Sequence, residues 1–172
     1  KINKKECKIY GKGISGYNYK KNITLDAKNS GTLGRLILGL LINTPHPIKL
    51  IGDKSLSKRD FKRISSPLTK FGAKFELTNN KNLPLKLYGS SRLKSINFFE
   101  KKGSAQCKSS VIFAGMRAQG TTRIKAKKSR DHTELLCKYL NLPITTKSKK
   151  NHDEIQVKKV KKINPLKYNI PS

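Results

Sequence analysis

Residues 30–41 read SGTLGRLILGLL, and the packing of the whole chain turns on that stretch. Leu33, Leu36, Ile37, Leu38, Leu40, Leu41 and Ile42 cover nearly every face of a helix predicted over 29–43. Asn29 or Ser30 can cap it, Gly31 and Thr32 form its first turn, and Pro45 follows its end. A helix so apolar belongs at the centre of a domain. Its only charge, Arg35, is expected to point outward near the N-terminal end. PIKLIGD (47–53) then reads as a strand. SLSKRDFKRISSPLTKFGAKFEL (55–77) reads as a basic turn, an amphipathic helix over 59–71 and a further strand. Phe61, Ile64, Leu68 and Phe71 share one face of that helix, Gly72 closes it, and Pro67 inside it predicts a kink or an irregular turn.

The same plan returns roughly 70 residues later. GSAQCKSSVIFAGM (103–116), TTRIKA (121–126) and KKSRDHTELLCKYLNLPITT (127–146) repeat the order of buried helix, strand, basic turn, amphipathic helix and strand. The second buried helix, 105–117, is expected to bury Val111, Ile112, Phe113, Ala114 and Met116. The second amphipathic helix, about 131–141, is expected to pack through Leu135, Leu136, Tyr139 and Leu140. Paired short strands follow each amphipathic helix: 72–78 and 83–89, then 143–148 and 154–159. A third echo lies in CKIYGKG (7–13), which resembles LKLYGSS (85–91), and in the closing residues 154–172. The expected organisation is therefore 1–28 as strands ending a preceding unit, 29–102 as one unit and 103–172 as the next. All belong to one domain, a second domain is absent, and the chain looks like a fragment. A duplicated α/β unit of this kind aims helix N-termini and arginines at one face, the pattern of an anion site.

Composition narrows the choices. The 172 residues carry 39 Lys and Arg against 10 Asp and Glu, a net charge of +29. Such charge raises nucleic acid first. Yet 32 of the 39 cations are lysine, and Asn and Ile are also abundant. These are the residues AT-rich codons supply, so much of the charge reads as solvated surface. The aromatic interleaving of an RNA-binding sheet is missing, and Trp is absent. Cys7, Cys107 and Cys137 form no CxxC pair and read as buried structural thiols in a reducing cytosol. His46, His132 and His152 lack metal-ligand spacing, and His132 reads as structural. No apolar run reaches about 18 residues and no signal peptide is visible, so a cytoplasmic chain with no membrane partner is expected.

Four short motifs offer chemistry. SGT (30–32) exposes backbone N–H groups at a helix start, with Gly31 permitting close approach. SLSKRD (55–60) sets Arg59 at a strand-to-helix turn, where its fork can grip a carboxylate or phosphate. SAQ (104–106) places a hydroxyl and an amide at another helix start, suited to a polyol. SRDHTE (129–134) puts Ser129 and Arg130 where they can hold a phosphate. Each alone reads equally as a cap or a solvated turn; all four at equivalent places in a repeat point to a site.

In order and spacing these motifs resemble the 5-enolpyruvylshikimate-3-phosphate synthase (3-phosphoshikimate 1-carboxyvinyltransferase) family. The matching segments are KNSGTLGRLILGLL (28–41), LIGDKSLSKRDFKRISSPLTKFGAKFE (50–76), NLPLKLYG (82–89), SAQCKSSVIFAG (104–115) and KSRDHTELLCKYL (128–140). The resemblance implies repeated βαβαββ units whose parallel buried helices lie inside a ring of sheets, an inverted α/β prism. It implies transfer of the enolpyruvyl group of phosphoenolpyruvate to the 5-hydroxyl of shikimate 3-phosphate in chorismate and aromatic amino acid biosynthesis. No metal or organic cofactor is implied. Ser104, Ala105, Gln106, Ser129 and Arg130 match shikimate 3-phosphate-binding positions. Asn29, Gly31, Thr32, Arg59 and Gln106 match positions around phosphoenolpyruvate.

The family's base and Lys–Glu pair belong to the other domain, so the catalytic residues stay unknown and this chain alone is expected to be inactive. Its expected partners are the two substrates and the missing domain, in the same or another chain. Lys28 stands where the family has glycine, and Asp60 where it has proline. Asp60 could pair with Arg59 and weaken its hold on a substrate carboxylate. Gly31 occupies the place where a larger residue is associated with glyphosate tolerance. UDP-N-acetylglucosamine enolpyruvyl transferase is the related alternative, but its loop cysteine is replaced here by Lys54. A basic nucleic-acid-binding module and a degenerate, non-functional copy are the other readings.

Overall fold

The computed structural model of the chain describes residues 8–11, 13, 14, 19 and 21–165. Cys7, parts of the 7–13 echo and residues 166–172 of the closing echo lie outside the described residues. The first unit holds β1 (Ile23–Asp26), α1 (Gly31–Leu40), β2 (Ile48–Ile51), α2 (Lys54–Ser57), α3 (Lys62–Thr69), β3 (Lys74–Thr78) and β4 (Asn82–Tyr88). The second holds β5 (Asn97–Glu100), α4 (Ala105–Gly115), β6 (Thr121–Lys127), α5 (His132–Tyr139), β7 (Ile144–Ser148) and β8 (His152–Lys158).

The two sheets share one topology, β1-β2-β4-β3 and β5-β6-β8-β7, each with a parallel first pair and antiparallel pairs after it. Strands 23–26 and 97–100, which the sequence reading set at the end of a preceding unit, hydrogen-bond within the sheet of the unit that follows them. One core runs through both units, from Leu38, Ile42, Phe61 and Leu87 to Val111, Ile112, Ile124 and Val157. Alternation along β4, β6 and β8 turns Leu85, Leu87, Ile124 and Val157 inward and their lysine neighbours outward. Among the described residues no helix is long and apolar enough to cross a membrane.

The buried helices α1 and α4 lie side by side and run parallel. Thr32 meets Gln106, the Arg35 carbonyl accepts from Ser110, and Asn43 accepts from Arg117. Where they touch most closely, at Gly39, a Cβ would collide with the Ser110 carbonyl. Glycine is therefore required by packing here, despite its entropic cost within a helix.

Three expectations are corrected. Arg35 is buried, with 8% of its surface exposed, while Leu33 on the same helix is 50% exposed. The helix packs along the face of Gly31, Gly34, Arg35 and Leu38, because glycines let the neighbouring elements come close there. On α5 the inward side chains are Glu134 and Cys137, whereas Leu135, Leu136 and Tyr139 are exposed. A charge explains the inversion: Lys108, wholly buried in α4, pairs with Glu134 at 2.6 Å and draws that face inward. The helix expected over 59–71 begins later, as α3 at Lys62, and the basic turn expected before it holds a short helix, α2, with Arg59 and Asp60 between the two.

Helix α3 runs on through Pro67. Proline has no N–H to give the carbonyl of Arg63, four residues back. The Cys107 thiol supplies the missing donor, with Sγ 3.3 Å from that oxygen. Burial pushes the Cys107 thiol up to about 12, and Cys137 to about 11 for the same reason, so both buried cysteines stay neutral donors.

Candidate functional site

Serines start the two central helices. Ser30 caps α1 by accepting from Leu33 N–H at 3.1 Å, and Ser104 caps α4 by accepting from Cys107 N–H at 3.3 Å. Because the helices are parallel, both sets of free N–H groups and both positive dipole ends open at one end of the molecule. No acidic residue occupies the first turn of either helix.

Arginines collect at that end. The space beside the Gly31 Cα is hemmed in by Arg59 Nη1 and Arg35 Nη1, which a Cβ there would approach to 3.1 and 3.2 Å. Arg35 donates to Gln106 Oε1 at 2.6 Å and lies over the Phe61 ring, 5.5 Å from its centre. Its Nε is buried without a partner. Gln106 in turn donates to Thr32 Oγ1 at 2.8 Å. Burial, with the neighbouring Arg63 and Arg59 cations, holds the Arg35 guanidinium below its usual range against an opposing pull from Asp60. Among the described residues no carboxylate forms an ion pair with Arg35, Arg59 or Arg63. Three guanidiniums with no paired carboxylate, set between two helix starts, make a strongly electropositive pocket.

A cleft of about 240 Å³ continues from this cluster between α1, α4 and α5, lined by Thr32, Leu36, Ala105, Gln106, Ser109, Arg130, His132 and Thr133. The sequence-derived residues Thr32, Ala105, Gln106 and Arg130 thus share one cavity, whereas Gly31, Arg59 and Ser104 do not line it. Ser129 does not line it, and its hydroxyl is shielded and without a hydrogen-bond partner. Asn29 is engaged elsewhere, donating to Asp53 at 2.5 Å and tying the loop before α1 to the cap of α2. The Leu56 N–H and the Asn29 amide hold the Asp53 carboxyl below the usual range.

Asp60 does not pair with Arg59. Its carboxylate accepts from Lys62 N–H at 2.8 Å at the start of α3, leaving Arg59 free to face Gly31. Lys28 has φ +49, the left-handed region where glycine is unstrained, and its exposed side chain pairs with Asp26 at 2.8 Å.

The sequence reading missed Arg35 and Arg63 and passed over His132, which is exposed on the cleft wall beside Arg130. A signal existed for the first: Arg35 follows Gly31 by one helical turn and so shares its face. Contact between Arg63 and Ser104, 41 residues apart, had none. Among the described residues no three His, Cys, Asp or Glu side chains are grouped to hold a metal ion.

The sequence profile of the family described as EPSP synthase (3-phosphoshikimate 1-carboxyvinyltransferase) matches residues 1–172. A 3-phosphoshikimate 1-carboxyvinyltransferase of Sulfurihydrogenibium sp. is 40% identical over 166 residues, which are 95% of this chain and 38% of that protein. One from Leuconostoc mesenteroides is 36% identical over 168 residues, 97% of this chain and 38% of that protein. The solved structure of EPSP synthase from Acinetobacter baumannii superposes with a TM-score of 0.80 at 32% identity, covering 90% of this chain and 34% of that one. The chain therefore spans little more than a third of the length of these relatives.

Proposed function

The chain belongs to the EPSP synthase family, and from that premise we propose that it supplies one substrate-binding face of an enolpyruvyl transferase. The reaction moves the enolpyruvyl group of phosphoenolpyruvate to the 5-hydroxyl of shikimate 3-phosphate and releases inorganic phosphate. The observation that carries this reading is the junction of the α1 and α4 N-termini with Arg35, Arg59 and Arg63, beside a cleft walled by Gln106 and Arg130. Both substrates are anions, and the same donors can hold charge that develops during addition and elimination.

In this reading Ser104, Ala105, Gln106 and Arg130 take shikimate 3-phosphate, and Gly31, Thr32, Arg59 and Gln106 surround phosphoenolpyruvate. Units 29–102 and 103–172, with strand 23–26 joining the sheet of the first and strand 97–100 that of the second, form one domain of the transferase. A second domain, in the same or another chain, provides the proton-transfer groups, so this chain by itself binds without turnover. The protein works in the cytoplasm, where Cys107 and Cys137 stay reduced. A complete enzyme with this loop is inhibited by glyphosate, since a side chain at Gly31 would crowd the two guanidiniums beside it. Undiminished turnover at saturating glyphosate would contradict that.

Calorimetric titration with shikimate 3-phosphate, set against inorganic phosphate, tests the reading. Saturable binding stronger than that of phosphate, weakened about tenfold or more in Arg130→Ala, is the expected outcome. Equal affinity for the two ligands would sink it.

A further inference from the structure

Arg63 lies outside the four short motifs to which the sequence gives chemistry, yet it is tied twice to the first turn of α4. Its carbonyl, left without a partner by Pro67, accepts from the Cys107 thiol at 3.3 Å. Its Nη2 donates to Ser104 Oγ at 2.8 Å. The first bond sets the residue against α4, and the second carries its charge to the helix start.

The consequence lies in the Ser104 hydroxyl. A serine oxygen has two lone pairs and one proton. Here one lone pair takes the Cys107 N–H at 3.3 Å and the other takes Arg63. With both lone pairs filled, the hydroxyl is left with its proton to give. We propose that Arg63 is a positioning residue that makes Ser104 a one-way hydrogen-bond donor to a phosphate oxygen at the start of α4. The proposal rests on the reading of this cleft as an anion site.

Two further observations agree. A guanidinium at a helix N-terminus is repelled by the helix dipole, and α4 has no acid in its first turn to offset this. The buried acid nearby, Glu100, has its oxygens occupied by Lys102 N–H at 3.1 Å and Ser104 N–H at 2.9 Å. Arg35, more than nine-tenths buried, is a second cation directed at the same turn through Gln106. Positive charge is in excess at this turn until an anion binds, and a phosphate would meet the Ser104 proton and the free N–H groups together, with Arg63 behind the serine.

Amide chemical shifts of residues 104–107 during titration of the 172-residue chain with inorganic phosphate test this. Wild type, Arg63→Met, Arg63→Gln, Ser104→Ala and the Arg63→Met/Ser104→Ala double variant are compared, with circular dichroism confirming that each folds. Arg63→Met is expected to weaken phosphate about tenfold, Arg63→Gln less because it keeps a donor to Ser104, and the double variant no further than either single one. Losses that add in the double variant would overturn the positioning role, since Arg63 would then act on the anion independently of Ser104. Unchanged affinity in Arg63→Met, or no response of the wild type to phosphate, would overturn it too. A parallel titration with shikimate 3-phosphate separates this from the functional reading: phosphate bound as expected, with no preference for shikimate 3-phosphate, would leave the Arg63–Ser104 pair standing and refute the substrate.

Discussion

Lys108 is a residue whose whole account is electrostatic. It is fully buried in α4 and pairs with Glu134 of α5 at 2.6 Å, while Glu134 Oε2 finds no hydrogen bond. Such a pair adds little net stability, because desolvating two charges cancels most of their attraction. Removing one partner is another matter. Glu134→Leu is expected to cost about 3–5 kcal/mol by stranding a buried ammonium, and Lys108→Met combined with Glu134→Leu to recover most of it. Urea denaturation of the two variants decides between this and a merely additive loss. At the same scale, the departures at Lys28 and Asp60 have local explanations. Lys28 tolerates a left-handed backbone with Asp26 as its partner, and Asp60 accepts from the Lys62 N–H at the start of α3. Neither removes a donor from the cleft.

Among the elements, the crossing of α1 on α4 determines the site. Their close approach at Gly39 and Ser110 keeps the helices parallel and their N-termini level, so that Thr32 reaches Gln106. Gly39→Ala must push the helices apart or bend one, since the obstacle is backbone and cannot swing aside. The expected loss is about 3 kcal/mol, visible as a lower denaturation midpoint and as altered amide shifts at 104–107. A midpoint equal to that of wild type would show that the crossing has slack. Helix α5 meets α4 through the Lys108–Glu134 pair and through Ser109 with Thr133 at 2.7 Å, and adds Cys137 to the core. Its own leucines are left outside.

Across the whole molecule, a small part of the excess charge of +29 lies on outer sheet faces, where Lys86, Lys125, Lys127 and Lys158 alternate with buried residues along β4, β6 and β8. Even the exposed Phe99 is covered by Lys101 and Lys125, each 5.6 Å from the ring centre. The few carboxylates therefore matter in acid. Hydrogen bonds from Lys28 hold Asp26 low. The Leu56 N–H and Asn29 hold Asp53 low. At Asp153 burial pushes upward, but Lys128 and Ser148 outweigh it. Groups held low when folded contribute stability above their unfolded value of 3.8 and lose it as pH falls through the folded values. The urea midpoint is thus expected to be steady near neutrality and to fall below about pH 4, less steeply in Asp53→Asn. An acid limb identical in that variant would contradict the assignment.

Periodicity and turn chemistry are local properties, and what depends on them was legible in the chain itself: the duplicated order of buried helix, strand, amphipathic helix and paired strands, the serine caps of the central helices and the Gly31, Gln106 and Arg130 motifs. Which face each helix buries depended instead on partners distant in sequence. Glycines admitted neighbours on the Arg35 side of α1, a buried lysine turned α5 over, and a thiol from another unit completed the carbonyl that Pro67 left open. Hydrophobicity alone ranks residues by their wish to be buried. Only the assembled fold decides which of them are buried, because packing distance and charge pairing are settled between elements rather than within them.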